Sequence, residues 1–182
     1  MTRQTTAPLE HQSLQPEARR AYAFVLEEED GLLRLDPPYQ RGTVWTTDQR
    51  IALVRSWLMG LPVGSVVVNE REGHVLAVVD GRQRIETALM WFSGRLRVPA
   101  SWFEPNEVRR TVGTGDGPYV GWHDLTVMGQ TMVKTSRAVL PRITVHLPTV
   151  RAEAELYLLL NGGGTPQTGH DMANAAQHAR TT

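Results

Sequence analysis

The segment Asp80-Gly81-Arg82-Gln83-Arg84 contains the residue types that phosphate chemistry uses. It follows the apolar run Val75–Val79 and opens a stretch of helical spacing, so it lies between a predicted strand and a predicted helix. A helix N-terminus presents unpaired N–H groups and the positive end of the helix dipole, and a glycine lets a ligand approach the backbone. Arg84 is a forked donor for phosphate oxygens, and Asp80 is a candidate ligand for a metal ion or a water. The segment therefore predicts a site for a phosphorylated ligand.

The same spacing also admits a purely structural interpretation. Asp80 and Arg84 are four residues apart, and at that separation an acidic and a basic side chain on one helix face form an ion pair. An Asp-Gly turn before a helix is common in proteins without any ligand there. The residues alone leave both interpretations open.

Hydrophobic spacing and turn residues predict the elements that position this segment. The predicted helices cover 15–29, from Thr46 or Thr47 to about Met59, 81–93 and 151–160, and the predicted strands cover 31–35, 63–69, 74–79 and 140–147. The strands 63–69 and 74–79 flank the turn Glu70-Arg71-Glu72-Gly73, which predicts a hairpin that leads directly to Asp80. We therefore expect an α+β protein.

The length of 182 residues fits one domain with tails. We expect a disordered N-terminal tail over 1–15, one domain over 16–168, and a C-terminal tail or short helix over 169–182. Residues 104–121 contain Gly113, Gly115, Gly117 and Pro118 close together, a pattern that predicts a mobile loop or an insertion.

Composition excludes several function classes. The chain has no cysteine, which excludes disulfides, thiolate metal sites and cysteine nucleophiles. Its formal net charge is +0, so the overall charge gives no sign of a nucleic-acid partner. No apolar stretch approaches the roughly 20 residues of a membrane span, and residues 1–20 lack a signal-peptide core. These observations predict a cytoplasmic protein with no membrane partner.

Three separated segments together resemble a known family. They are Pro38-Tyr39-Gln40-Arg41-Gly42 with Trp45, then Leu58–Ser65 running through the hairpin into Asp80–Arg84, and finally Leu160-Asn161-Gly162-Gly163-Gly164-Thr165-Pro166. In this order they resemble the N-terminal domain of GmrS/GmrD-type modification-dependent restriction proteins, which is marked by an Asp-Gly-Gln-Gln-Arg motif. That family is part of the ParB/sulfiredoxin-like superfamily. The resemblance extends over roughly residues 31–168.

The resemblance implies a compact ParB/sulfiredoxin-like domain with a small mixed sheet and packed helices. It also implies a pocket for a nucleoside triphosphate with Mg²⁺, in a protein associated with restriction, phage defence or its regulation. Carried over by position, Asp80 and Arg84 are the catalytic residues, and Asp80 is the metal ligand. The positions that the resemblance assigns to nucleotide binding are Tyr39, Gln40, Arg41, Gly81, Arg82, Gln83, Arg84, Asn161, Gly163, Gly164 and Thr165. Arg82 replaces the usual glutamine, so it keeps a donor and adds a charge.

Some of these residues also have a structural interpretation. Tyr39 and Trp45 are candidates to stack on a base, but aromatic residues beside a proline turn are as often part of the core. The glycines 162–164 suit either a ligand cradle or the end of a helix. The histidines at 74, 123, 146 and 170 lack ligand-like spacing, and we interpret them as structural.

Restriction relatives of this kind commonly carry a His-Asn-His-type nuclease domain after this one. The sequence contains no such stretch, so we expect a possible Mg-dependent NTPase module, with an effector protein or nuclease supplied in trans, and no His-Asn-His nuclease. The alternative is a non-catalytic DNA- or protein-interaction module with a degenerate pocket. In that case Arg34, Arg41, Arg50, Arg55, Arg95 and Arg97 are candidates for a basic face, against the simpler interpretation of scattered surface charge.

Overall fold

A mixed five-stranded sheet forms the centre of the fold. The computed structural model describes residues 14–39 and 45–161. In chain order its helices and strands are β1 (Gln15–Glu17), α1 (Ala21–Glu29), β2 (Leu33–Arg34), α2 (Thr47–Leu58), β3 (Val66–Glu70), β4 (Leu76–Asp80), α3 (Arg82–Phe92), β5 (Arg97–Pro99), β6 (Val112–Thr114), β7 (Gly117–Gly121), α4 (Val127–Met132), β8 (Arg142–Val145) and α5 (Val150–Asn161).

The spatial order of the large sheet is β1-β8-β3-β4-β2. β3 and β4 are antiparallel neighbours, as are β1 and β8, whereas β8 runs parallel to β3 and β2 runs parallel to β4. A second, antiparallel sheet has the order β5-β7-β6. The predicted hairpin over 63–79 is therefore confirmed as the β3–β4 pair at the centre of the large sheet.

Successive residues of β3 contribute to two separate hydrophobic cores, because side chains alternate between the faces of a sheet. Val66 and Val68 belong to the larger core, and Val67 belongs to the smaller one. The larger core lies between this face and helices α1, α2 and α3, and it continues into the second sheet. The smaller core lies under α5 and includes Tyr39, Val79 and Tyr157.

The α2 helix begins at a well-defined cap. The Thr46 hydroxyl accepts a hydrogen bond from the Gln49 backbone N–H, and the Gln49 side chain accepts one from the Thr46 backbone N–H. This capping box satisfies two N–H groups that would otherwise lack a partner. The predicted helix start at Thr46 or Thr47 is confirmed.

Most predicted elements are present, and the α+β class is confirmed. The predicted helix over 15–29 is wrong in its first part, because Gln15–Glu17 pairs with β8 and α1 begins only at Ala21. Residues 104–121, predicted as a mobile loop or an insertion, contain a short 3₁₀ turn and the β6–β7 hairpin.

Other predictions about the chain organisation stay predictions. No helix within residues 14–39 and 45–161 is long and apolar enough to span a membrane. The division into one domain with two tails is untested, and so is the question of whether 104–121 is an insertion. The segments 1–13 and 162–182 lie outside the described residues.

Candidate functional site

The Asp80–Arg84 segment forms the tight turn from the central strand β4 into α3. Gly81 is the N-cap residue of α3 and has a φ of 88°, in the left-handed region that glycine adopts most easily. Its carbonyl accepts hydrogen bonds from the backbone N–H groups of Arg84 and Ile85. The turn thus places Asp80 at the end of the strand and Arg84 on the first turn of the helix.

The guanidinium of Arg84 returns toward Asp80. Arg84 Nη1 lies 3.5 Å from Asp80 Oδ2 and donates a hydrogen bond to the Ser65 carbonyl over 3.2 Å. The side chains of Asp80 and Arg84 remain 30% and 24% exposed. The ion pair between Asp80 and Arg84 that the i, i+4 spacing predicted is therefore present. Because both side chains still reach solvent, the pair is also accessible to a ligand.

Two glycines leave the space that the Arg84 guanidinium occupies. A Cβ atom at Gly64 would lie 2.7 Å from Arg84 Nη2, and one at Gly81 would lie 2.8 Å from Arg84 Nη1. Real Cβ atoms essentially never come so close to another heavy atom. Gly64 immediately precedes Ser65, so the loop before β3 holds the guanidinium from a second side. Gly64 lies within the segment Leu58–Ser65 that carries the resemblance, but the resemblance assigns it no role.

Gln83 ties the start of α3 to the start of α2. Its Oε1 accepts hydrogen bonds from the Trp45 backbone N–H and from Arg50 Nη2, each over 3.0 Å. Trp45 is the first residue after the segment 40–44, which lies outside the described residues. Gln83 therefore holds the backbone of Trp45, a few residues after the predicted Tyr39-Gln40-Arg41 segment.

Arg50 is a buried residue whose role the sequence did not indicate. Only 6% of its side chain is exposed, and it contacts Thr87 Oγ1 and Glu86 Oε2 over 3.2 Å each. Its inclusion in a solvent-facing basic surface is therefore wrong, because its guanidinium joins α2 to α3. Glu86 also accepts a hydrogen bond from Arg82 Nε over 2.7 Å, so the charge of Arg82 is partly neutralised on its own helix.

Tyr39 is completely buried in the smaller core. Its hydroxyl donates a hydrogen bond to Glu153 Oε2 over 3.0 Å, and its ring lies 5.8 Å from that of Tyr157. Burial and the nearby Glu153 carboxylate raise the pKa of Tyr39 well above its ordinary value. In this arrangement Tyr39 is a core residue. The sequence left open whether it stacks on a base or packs in the core, and here it packs in the core. Trp45 is likewise packed against the larger core.

Glu153 joins three separate parts of the chain. Its Oε1 accepts hydrogen bonds from Asn69 Nδ2 and Arg71 Nε over 2.7 Å each, and Arg71 Nη2 also bonds to Oε2. Burial alone would raise the pKa of this carboxyl, but the hydrogen bonds from Arg71, Asn69 and Tyr39 hold it below its usual range. Only 1% of the side chain is exposed. The network connects Tyr39 and the β3–β4 hairpin to α5.

Part of the predicted site cannot be placed. Gln40, Arg41, Gly163, Gly164 and Thr165 lie outside the described residues. Asn161 is the last residue of α5, and its amide donates to the Tyr157 carbonyl over 2.9 Å. Among the predicted residues, the described part of the chain brings together Asp80, Gly81 and Arg84, and it adds Gly64 and Ser65 to them.

The donor set at Asp80 fits only one type of metal site. Among the described residues no group of three or more His, Asp or Glu side chains is arranged to hold a metal ion. Mg²⁺ usually keeps several waters and is held by one or two carboxylates together with substrate phosphates. Asp80, a partly exposed single carboxylate, fits that arrangement and does not fit a site built from protein ligands alone.

A protein-family model matches the part of the chain that contains this site. The model of the family "GmrSD restriction endonuclease, N-terminal domain" matches residues 24–119, more than half of the chain. The chain therefore belongs to this family, which associates it with restriction and thereby with phage defence. The matched range includes the Asp80–Arg84 turn and ends before Asn161. No curated protein and no solved structure gives a significant match, so the likeness to the ParB/sulfiredoxin superfamily stays a prediction.

Proposed function

We propose that this chain binds the phosphates of a nucleoside triphosphate at the turn between β4 and α3. The observation that carries the proposal is the Arg84 guanidinium, held between Gly64 and Gly81 beside Asp80 and still 24% exposed. Because the backbone at Gly64 and Gly81 encloses the guanidinium from two sides, the Arg84 side chain keeps a defined position. A defined guanidinium at the start of a helix suits a phosphate group, since forked N–H donors match its oxygens.

The start of α3 adds a second attraction for anions. The helix has 11 residues, and its first N–H groups have no carbonyl partner within the helix. Those groups and the positive end of the helix dipole favour a phosphate close to Gly81. Among the described residues, Arg84 donates its two guanidinium hydrogen bonds from the same atom, Nη1. The rest of the planar group is therefore a candidate donor for phosphate oxygens.

Mg²⁺ bound with the nucleotide would be held by Asp80 and would supply charge neutralisation. The residues of the chain itself would orient the phosphates, with Arg84 stabilising negative charge that develops during transfer. Phosphoryl transfer depends mostly on such positioning and electrostatic stabilisation. Hydrolysis of the nucleotide at this turn is the second part of the proposal, and a nuclease supplied in trans is the proposed receiver of the resulting signal.

Titration calorimetry tests binding. The wild-type protein, Asp80→Asn and Arg84→Ala are each titrated with the four common ribonucleoside triphosphates in the presence of Mg²⁺. Arg151→Ala is the matched control, because Arg151 forms the same kind of i, i+4 ion pair with Glu155 on the exposed face of α5. We expect binding by wild type and Arg151→Ala and strong loss in Arg84→Ala. Absence of binding by wild type, or equal binding by Arg84→Ala, contradicts the proposal.

A phosphate-release assay on the same proteins tests hydrolysis separately. Turnover by wild type and Arg151→Ala, with none in Asp80→Asn or Arg84→Ala, is the expected result. Binding without turnover in wild type would remove the second part of the proposal and leave the first intact.

A further inference from the structure

We propose that a surface at the far end of α3, formed by Arg95, Arg97, Arg109 and Arg110, binds the phosphate backbone of double-stranded DNA. All four residues are exposed. We call this set the basic surface. It shares only Arg95 and Arg97 with the basic face considered from the sequence, and it is independent of the proposed nucleotide site.

The turn Gly121–Asp124 brings these arginines together. The backbone N–H groups of Arg109 and Arg110 both donate to the Asp124 carbonyl, over 2.9 and 3.2 Å. Arg109 Nη2 donates to the His123 carbonyl over 2.7 Å. On the other side of the turn, Arg97 pairs with Gly121 in the β5–β7 ladder.

One buried carboxylate holds two of the guanidinium groups. Arg110 Nε bonds to Asp124 Oδ1, and Arg97 Nε lies 4.0 Å from Oδ2. Only 4% of the Asp124 side chain is exposed, compared with 48% for Arg97 and 65% for Arg110. The acid is therefore beneath the arginines, and the outer parts of both guanidinium groups face solvent.

The other two arginines have no acidic partner among the described residues. Arg109 bonds to a carbonyl, and Arg95 Nε bonds to Ser93 Oγ over 2.9 Å. Four arginines thus share one carboxylate, which leaves an excess of three positive charges, or two if Asp116 at the tip of the β6–β7 hairpin is included. Elsewhere in the described chain most arginines lie within 4.0 Å of a carboxylate, namely Arg19, Arg50, Arg71, Arg82, Arg84, Arg137, Arg142 and Arg151.

Arg97 is the first residue of the edge strand β5, and Arg95 lies two residues before it. Arg95 and Arg97 are exposed, and they alternate with the buried residues Leu96 and Val98. A cluster of exposed guanidinium groups with an excess of positive charge matches the repeating phosphates of a duplex, and such contacts need no particular base sequence.

The basic surface and the Asp80–Arg84 turn lie at opposite ends of α3. A helix of 11 residues is about 16 Å long. A duplex on the basic surface therefore does not need the nucleotide site, and the two proposals can fail separately.

The test is the salt dependence of duplex binding. Fluorescence anisotropy of a labelled duplex of roughly 20 base pairs is measured from about 50 to 200 mM salt, where counterion release makes log K fall linearly with log salt. The variant is the double substitution Arg95→Ala with Arg109→Ala. The control is Arg34→Ala with Arg151→Ala, which removes the same charge from exposed positions in β2 and α5.

We expect wild type and the control to bind with the same salt slope and the Arg95/Arg109 variant to lose about 2 from that slope. Unchanged thermal unfolding shows that the variants are folded, and calorimetry shows whether nucleotide binding is retained. Failure of wild type to bind at low salt overturns the proposal. Equal loss in both double variants, or tighter binding of single-stranded RNA than of the duplex, also overturns it.

Discussion

The hydroxyl of Tyr39 donates a hydrogen bond to Glu153 Oε2 over 3.0 Å, across 114 residues of sequence. Both residues are buried, and Asn69 and Arg71 donate to the same carboxylate. The bond therefore joins the residue just before the segment 40–44 to the helix that ends at Asn161. The Glu153 carboxylate on α5 thus links Tyr39 to Asn69 and Arg71 of the central hairpin.

Removing the charge of Glu153 is expected to destabilise the fold. Glu153→Gln keeps the shape of the side chain. It removes the negative charge that pairs with Arg71 and replaces one acceptor oxygen with an amide N–H group, which is itself a donor. Arg71 is 34% exposed, so solvent offsets part of the loss. We expect the free energy of unfolding in urea to fall by about 2 kcal/mol.

Tyr39→Phe is the control for this measurement, because it removes one of the hydrogen bonds and no charge. We expect it to cost about 1 kcal/mol. A Glu153→Gln variant as stable as wild type, or less affected than Tyr39→Phe, would show that the carboxylate does not stabilise the contact between Tyr39, the hairpin and α5.

The protein is expected to lose stability in acid. Burial would raise the pKa of Glu153, Glu107 and Asp124, but hydrogen bonds, above all from Arg71, Arg137 and Arg110 respectively, hold each pKa below its ordinary value. The ordinary values are 4.5 for glutamate and 3.8 for aspartate. As the pH falls, the unfolded chain therefore takes up protons before the folded protein does.

It follows that the stabilisation is complete above the ordinary values and is lost as the pH falls through the lower pKa of each folded carboxyl. Urea unfolding at about pH 6 and about pH 3 measures the difference. The dependence should be shallower in Glu153→Gln, which lacks one of the three carboxyls. Equal unfolding free energies of wild type at both pH values would contradict this prediction.

Gly64→Ala is expected to disturb the Arg84 guanidinium with little effect on stability. The new Cβ would lie 2.7 Å from Nη2, at the end of a flexible side chain that can move aside. The contact between Arg84 and Asp80 would be lost, so calorimetry should show weaker binding of nucleoside triphosphates. The unfolding free energy should change by less than about 1 kcal/mol.

Gly113→Ala is the matched control for this variant, because a Cβ there meets no atom within 4 Å. Nucleotide binding of Gly64→Ala equal to that of Gly113→Ala would show that the position of the guanidinium does not matter for the ligand. A large loss of stability in Gly64→Ala would place its role in the fold instead.

Gly129→Ala is expected to destabilise the protein, because here the obstacle is backbone. A Cβ at Gly129 in α4 would lie 2.5 Å from the Glu107 carbonyl oxygen. The helix or the segment around Glu107 must move, and such overpacking costs about 1 to 3 kcal/mol. Thermal unfolding measures the effect, with Gly115→Ala, where a Cβ meets nothing within 4 Å, as the control. Equal midpoints for the two variants would exclude the close contact.

Local patterns predicted the elements around the site. Apolar runs on each side of the turn Glu70–Gly73 indicated the β3–β4 hairpin, and helical spacing after Gly81 indicated α3. Both were confirmed, because neighbouring residues determine such turns and helices. The strand Gln15–Glu17 was missed because it contains only three residues and exists through pairing with β8, more than 120 positions away.

The sequence by itself determined that Asp80 and Arg84 lie on either side of a turn from a strand into a helix, because the apolar run before Asp80 and the helical spacing after Gly81 are local patterns. Only the tertiary structure decided that Gly64 and Ser65 close around the Arg84 guanidinium, that Arg50 is buried between α2 and α3, and that Tyr39 faces Glu153. These contacts join residues that are 19 to 114 positions apart along the chain. No local pattern encodes them, because they depend on how the hairpin, α2 and α5 pack around one sheet.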